Sequence, residues 1–183
     1  MNFYYETDRL IIKILDESHA TQVLRFLHNN RDIFEPYEPS RPYNFYTINY
    51  QKSMLRTEFN LATKLAFVRF WIFPKSNPSK IIGTSSFHNI RKSSFMSLEI
   101  GYKFDKYYQK QGYATEAIRF LCDVAFHEMN FHRIEAYVLP DNDNSKRLLD
   151  RLGFRNEGLC FSCAKICNEW KDHIRYSLIC PSN

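Results

Sequence analysis

The stretch from Tyr107 to Leu121, YYQKQGYATEAIRFL, crowds two glutamines and a lysine against one glycine, just before apolar residues begin to recur at Ala117, Ile118, Leu121 and Cys122. That spacing is helical. Gly112 therefore stands where a loop becomes a helix, and roughly four backbone N–H groups at such a start have no partner inside the helix. The chemistry this offers is anion binding. The free N–H groups and the positive end of the helix dipole attract negative charge, glycine lets the backbone come close, and Lys110 can add a point charge. Taken alone, the loop is equally an ordinary helix start.

Cysteine and histidine offer a second chemistry. Cys160, Cys163 and Cys167, with His173 beyond, are separated by two and then three residues, which is not the paired arrangement of common zinc modules. On a strand, Cys160 would also face away from the other two. No metal site is expected, and no histidine is placed by local spacing to activate a cysteine nucleophile. His19, His28, His88, His127 and His132 read as surface or hydrogen-bonded core residues.

The elements that would position the loop follow from the rest of the chain. RLIIKIL at Arg9 to Leu15 reads as a first strand, and DESHATQVLRFLHNN as a helix capped by Asp16 or Ser18. Pro36, Pro39 and Pro42 argue against regular structure across RDIFEPYEPSRPYNFY, whose Tyr37, Tyr43, Phe45 and Tyr46 would form either an acceptor wall or an aromatic mini-core. A second helix starts at Thr47 and runs to about Lys64, presenting Tyr50, Met54, Leu55 and Phe59. Three strands begin at Leu65, Lys80 and Ser94 and form an antiparallel meander. The glycine loop, its helix and the strand HRIEAYVL then make a crossover to a parallel strand. A capped helix ending at Gly153 and two closing strands complete the chain.

With 183 residues, 44% of them hydrophobic, this is a single domain over residues 1–183 with a sizeable core. No apolar run approaches the ~20 residues of a membrane span, and the start MNFYYETDRLIIK lacks the regions of a signal peptide. A cytoplasmic protein is expected, and its 5 cysteines read as reduced thiols. A net charge of +5, spread along the chain, suits an anionic ligand but not a nucleic-acid stripe, so neither nucleic-acid nor membrane binding is expected.

The string QKQGYA from Gln109 to Ala114, with LEIGYKF before it, LPDNDNSKRLLDRLGF after the next strand and EWKDHIRYSL at the end, resembles the GNAT superfamily of acetyl-CoA dependent N-acetyltransferases. The opening ETDRLIIKIL and the phrase GYATEA are similar to the Rim-type branch, which acetylates the N-terminal alanine or serine of ribosomal proteins. The resemblance implies an α/β (α+β mixed) fold, a central, mostly antiparallel sheet of about seven strands flanked by helices. It implies that the parallel strands splay and that acetyl-CoA binds there as co-substrate. Gln109, Lys110, Gln111, Gly112, Tyr113, Ala114 and Thr115 would hold its pyrophosphate. The strand carrying Ile100, Gly101 and Tyr102 would pair with its pantetheine arm, and Asn142 would bind that arm.

The same resemblance places the thioester near Glu99 to Gly101, where the Ile100 N–H would polarise the carbonyl and Glu99 would accept the amine's proton, directly or through water. The alternative for Glu99 is an outward or ion-paired strand residue. Many relatives protonate the thiolate with a tyrosine four residues beyond Ser145, a position held here by Leu149. Ser145 matches a serine of the ribosomal branch and would stabilise the thiolate, unless it and Asn142 merely cap a helix. Where some relatives carry a glutamate near the peptide amine, this chain has Ala164 and Lys165.

The implied function is acetyl transfer by direct attack, most simply to a protein N-terminus. The alternatives are a small-molecule N-acetyltransferase for aminoglycosides, polyamines or amino acids, and a non-catalytic coenzyme A-binding module. A monomer or a homodimer fits equally.

Overall fold

The computed structural model describes residues 1–181. Eight strands form one sheet: β1 (Tyr4–Glu6), β2 (Leu10–Lys13), β3 (Val68–Pro74), β4 (Gly83–Arg91), β5 (Ser97–Phe104), β6 (Arg133–Val138), β7 (Arg155–Ile166) and β8 (Glu169–Ile179), in the order β1-β2-β3-β4-β5-β6-β8-β7. Among the described residues only the β5–β6 pair is parallel. The sheet has one strand more than the expected seven. β1 is three residues long, too short to carry a periodic signal, and it pairs with β2 through Tyr5 opposite Ile12.

Five helices cover the sheet: α1 (Ala20–Asn29), α2 (Arg31–Phe34), α3 (Ile48–Thr63), α4 (Tyr113–Asp123) and α5 (Asp143–Arg151). The Thr47 hydroxyl caps α3 by accepting from the Tyr50 N–H. The proline loop corrects the sequence reading. α2 and a 3-10 turn at Glu35–Tyr37 run through it, and Pro36 sits in the first turn of that 3-10 segment, where its missing N–H costs nothing. The buried face of α3 is also rotated from the expected one, comprising Gln51, Leu55, Glu58 and Ala62. Two polar residues are tolerated there because both are satisfied. Gln51 donates to the Phe45 carbonyl at 2.7 Å, and Arg69 donates to both Glu58 oxygens at 2.9 Å.

Strand alternation sends β3 into two cores. Val68, Phe70 and Ile72 pack with α4 and α5, while Trp71 and Phe73 join Val23, Phe26, Phe34 and Phe45 under α1 to α3. Both faces of the central strands are thus covered, which holds them rigid on either side of the site.

The feature that matters for function is where pairing stops. β5 and β6 are in register at only three positions, Ser97 with Arg133, Leu98 with Ile134 and Glu99 with Glu135. Beyond Glu99 the strands diverge, and β5 continues to Phe104 held only by β4. A wedge opens between them, bounded by α4 on one side and α5 on the other.

Candidate active site

A cavity of about 1260 Å³ occupies this wedge and extends past it. It exceeds the ~300–1,000 Å³ common for one small ligand. At one end it is lined by Gln109, Lys110, Gly112, Ala114 and Thr115; Ile100, Gly101, Tyr102, Asn142 and Ser145 line the middle; Tyr37, Glu38, Arg69, His88, Lys103 and His173 line the far end.

The loop end is built as an anion cradle. Gly112 is the N-cap of α4 at φ +84°, in the left-handed region, and the first bond inside the helix runs from the Glu116 N–H to the Gly112 carbonyl at 3.0 Å. The N–H groups of Tyr113, Ala114 and Thr115 are therefore left without intrahelical partners. Lys110, Arg147 and Arg151 line the same end. The two arginines are held by neutral oxygens, Arg147 by Asn144 at 3.0 Å and Arg151 by Thr115 at 3.2 Å, so their charge stays available.

Arg9 fixes the loop from β2's approach. Its Nη1 donates to the Gln111 carbonyl at 3.0 Å, its Nε to Glu116 at 2.6 Å, and its guanidinium lies 4.5 Å from the Tyr113 ring centre. Gln111 and Tyr113 consequently turn away from the cavity. The Gln111 amide folds back onto the Tyr107 carbonyl at 2.7 Å.

In the middle, the Asn142 side-chain oxygen accepts from the Ser145 N–H at 3.1 Å and caps α5. The cap belongs to Asn142, whose NH₂ group remains to donate elsewhere, and Ser145 is free of that duty. Its hydroxyl instead meets the Tyr102 phenol at 2.7 Å. Burial pushes the Tyr102 phenol well above its ordinary pKa, so it stays protonated, and either hydroxyl of the pair can donate.

Strand alternation puts Ile100 and Tyr102 on one face of β5 and Glu99, Gly101 and Lys103 on the other. Glu99 does not line the cavity; its Oε2 lies 3.5 Å from Nε2 of His88, the residue opposite it on β4, and His88 does line the cavity. At the far end Lys103 is paired with Glu38. Burial, with Arg69 and Arg41 nearby, holds the Lys103 ammonium well below its ordinary pKa. Of the loop aromatics, Tyr37 lines the cavity, Phe45 is buried in the second core, Tyr46 packs against that core and Tyr43 is fully exposed.

Sequence reasoning missed three contacts: Arg9 with the glycine loop, Tyr102 with Ser145, and His88 with Glu99. A fourth corrects it directly. Cys163 Sγ lies 3.5 Å from His173 Nδ1, a cross-strand approach between β7 and β8 that local spacing does not show. Burial raises the Cys163 thiol, so the contact holds a thiol rather than a thiolate.

The acetyltransferase (GNAT) domain family matches residues 9–155. The chain is 33% identical over 95% of its length to a probable N-acetyltransferase, YjcK, of Bacillus subtilis, covering 96% of that protein. It is 29% identical over 96% of its length to the ribosomal protein uS5-alanine N-acetyltransferase of Escherichia coli, covering 90% of it. The crystal structure of ribosomal-protein-S5-alanine acetyltransferase from Vibrio fischeri superposes with a TM-score of 0.90 at 31% identity, with 97% of each chain covered.

Proposed function

The chain belongs to the GNAT acetyltransferase family, and from that premise we propose that it moves the acetyl group of acetyl-CoA onto the N-terminal α-amine of a protein such as a ribosomal protein. The observation that carries this reading is one cavity joining an anion cradle, a strand splay and a far end lined by side chains of the proline loop. The names of the Escherichia coli and Vibrio fischeri relatives favour a protein acceptor over a small amine.

The residues present fit the donor. Gly112 itself lines the cradle, three N–H groups of α4 are left without helical partners, and Lys110, Arg147 and Arg151 supply charge for phosphates. When bound, acetyl-CoA supplies an activated thioester. From Ile100 onward β5 lacks a partner on its β6 side, and the Ile100 N–H is the donor we assign to the carbonyl oxygen as charge develops there. Gly101 and Tyr102 line the path of the arm, and the Asn142 NH₂ group is free to hold it.

Ser145 is assigned to the departing thiolate. The Tyr102 phenol shares one hydrogen bond with Ser145 Oγ, which either hydroxyl can donate, and also lies 3.5 Å from the Ser145 carbonyl, so the serine hydroxyl is held at the cavity wall. A tyrosine on β5 thus orients the serine, where Leu149 on α5 is buried and carries no hydroxyl. Glu99, which lies behind the cavity wall beside His88, is assigned to the path of the amine's proton, through that ring or a water rather than by direct contact. An α-amino group has a pKa of about 7.7–8.0, so a modest base suffices near neutrality.

The test is initial rates of thiol release across peptides with N-terminal alanine or serine, polyamines, aminoglycosides and free amino acids. Turnover on the peptides is expected. Turnover confined to small amines would overturn the acceptor assignment while keeping acetyl transfer.

A further inference from the structure

We propose that His88 is the residue that takes the proton from the attacking amine, with Glu99 as the counter-charge that stabilises it. The proposal deepens the acetyl-transfer reading and rests on it.

Four observations converge on this imidazole. First, His88 lines the cavity where Glu99 does not, so an amine in the cavity meets the ring before the carboxylate. Second, the ring is held against the start of the splay. Its Cε1 lies 3.4 Å from the point a Cβ on Gly101 would occupy, so the ring packs over β5 at Gly101. Third, the strand is built to aim it. Register between β4 and β5 shifts just after His88, with Asn89 at φ +46°, the kind of bulge that redirects a side chain. Fourth, the ring stands beside a carboxylate: Nε2 lies 3.5 Å from Glu99 Oε2, while Nδ1 is buried.

A proton taken up by the ring makes it an imidazolium, which the Glu99 carboxylate 3.5 Å from Nε2 stabilises as an ion pair. The step balances simply. The amine nitrogen bonds to the acetyl carbon, the carbon–sulfur bond breaks with its electron pair going to sulfur, and the amine proton passes to His88 and later to solvent. Burial holds the imidazole below its ordinary pKa; Glu99 on β5 and the Ser86 backbone on β4 oppose this and Arg69 on β3 reinforces it, while Tyr137 and His173 line the cavity across the wedge. His88 is thus neutral, and able to accept, at neutral pH.

The experiment compares wild type, His88→Gln and Glu99→Gln on one peptide with N-terminal alanine, recording kcat, KM and the pH profile of kcat/KM, with acetyl-CoA affinity from calorimetry. His88→Gln is expected to lower kcat about 100-fold with acetyl-CoA affinity within twofold of wild type, and to remove the acid limb assigned to the imidazole. Glu99→Gln is expected to keep that limb but move it to lower pH, because the carboxylate raises the His88 pKa. A His88→Gln enzyme within threefold of wild type overturns the proposal, as does an acid limb that survives in His88→Gln and vanishes in Glu99→Gln. A wild type that acetylates no amine overturns acetyl transfer itself, and this proposal with it.

Discussion

Replacing Gly112 separates the backbone demand of the anion cradle from its shape. At φ +84° any side chain sits in the left-handed region, which costs an L-residue roughly 1–2 kcal/mol. A Cβ there would also come 3.1 Å from Nη2 of Arg9, the flexible end of the side chain that pins the Gln111 carbonyl. Gly112→Ala therefore carries the backbone cost and loosens the loop, whereas Gly112→Val adds branched bulk against the Arg9 guanidinium and displaces the loop's anchor further. If the strain is relieved by the loop moving off its bound geometry, about 1.4 kcal/mol corresponds to a tenfold loss of affinity. Calorimetric titration with acetyl-CoA should show Gly112→Ala weaker by about tenfold and Gly112→Val weaker still. Melting curves recorded alongside should show both variants less stable. Lower stability with wild-type affinity in Gly112→Val would uphold the strain and refute the anion assignment.

Three other outcomes are expected. Ser145→Ala should lower kcat by about 10- to 100-fold with little change in KM, since a hydrogen bond to a charged group is worth ~1.5–3 kcal/mol; adding Tyr102→Phe should cost little more, because the two hydroxyls act in series, and additive losses would refute that chain. Arg9→Met removes the bond to the Gln111 carbonyl and should weaken acetyl-CoA binding about two- to tenfold, with unchanged affinity counting against Arg9 as the loop's anchor. Bonds from Arg133 and Ser177 hold the Glu157 carboxyl down at about 2. Its contribution to stability is therefore complete above its unfolded pKa of about 4.5 and lost as pH falls toward 2. The melting temperature of Glu157→Gln should fall less steeply than that of wild type over this range, and parallel curves would contradict the assignment.

Much of this architecture is legible in the chain because its signals are local. Helical spacing after Gly112, the turn residues between three strand-like runs, and the asparagine before the last helix each act within a few residues, and α4, the β3–β4–β5 meander and the α5 cap follow. What escapes is long-range. Arg9 and Gln111, or Tyr102 and Ser145, meet only once the strands are in register, and no spacing in the sequence encodes that. His88 read as an ordinary histidine because its importance comes from a bulge on β4 and from lying opposite Glu99. The buried face of α3 was misjudged for a related reason. Gln51 and Glu58 look solvent-facing until the fold brings the Phe45 carbonyl before α3 and Arg69 on β3 to them as partners.

The central claim is direct transfer from acetyl-CoA to an amine nitrogen. A single-turnover reaction of the enzyme with acetyl-CoA and a peptide bearing N-terminal alanine, followed by intact-mass analysis of both peptide and protein, tests it most directly. The account predicts one acetyl group on the peptide's α-nitrogen and an unmodified enzyme at every time point. An acetylated enzyme that later delivers its acetyl group to the peptide, or a peptide that stays unmodified while acetyl-CoA binds, would contradict it.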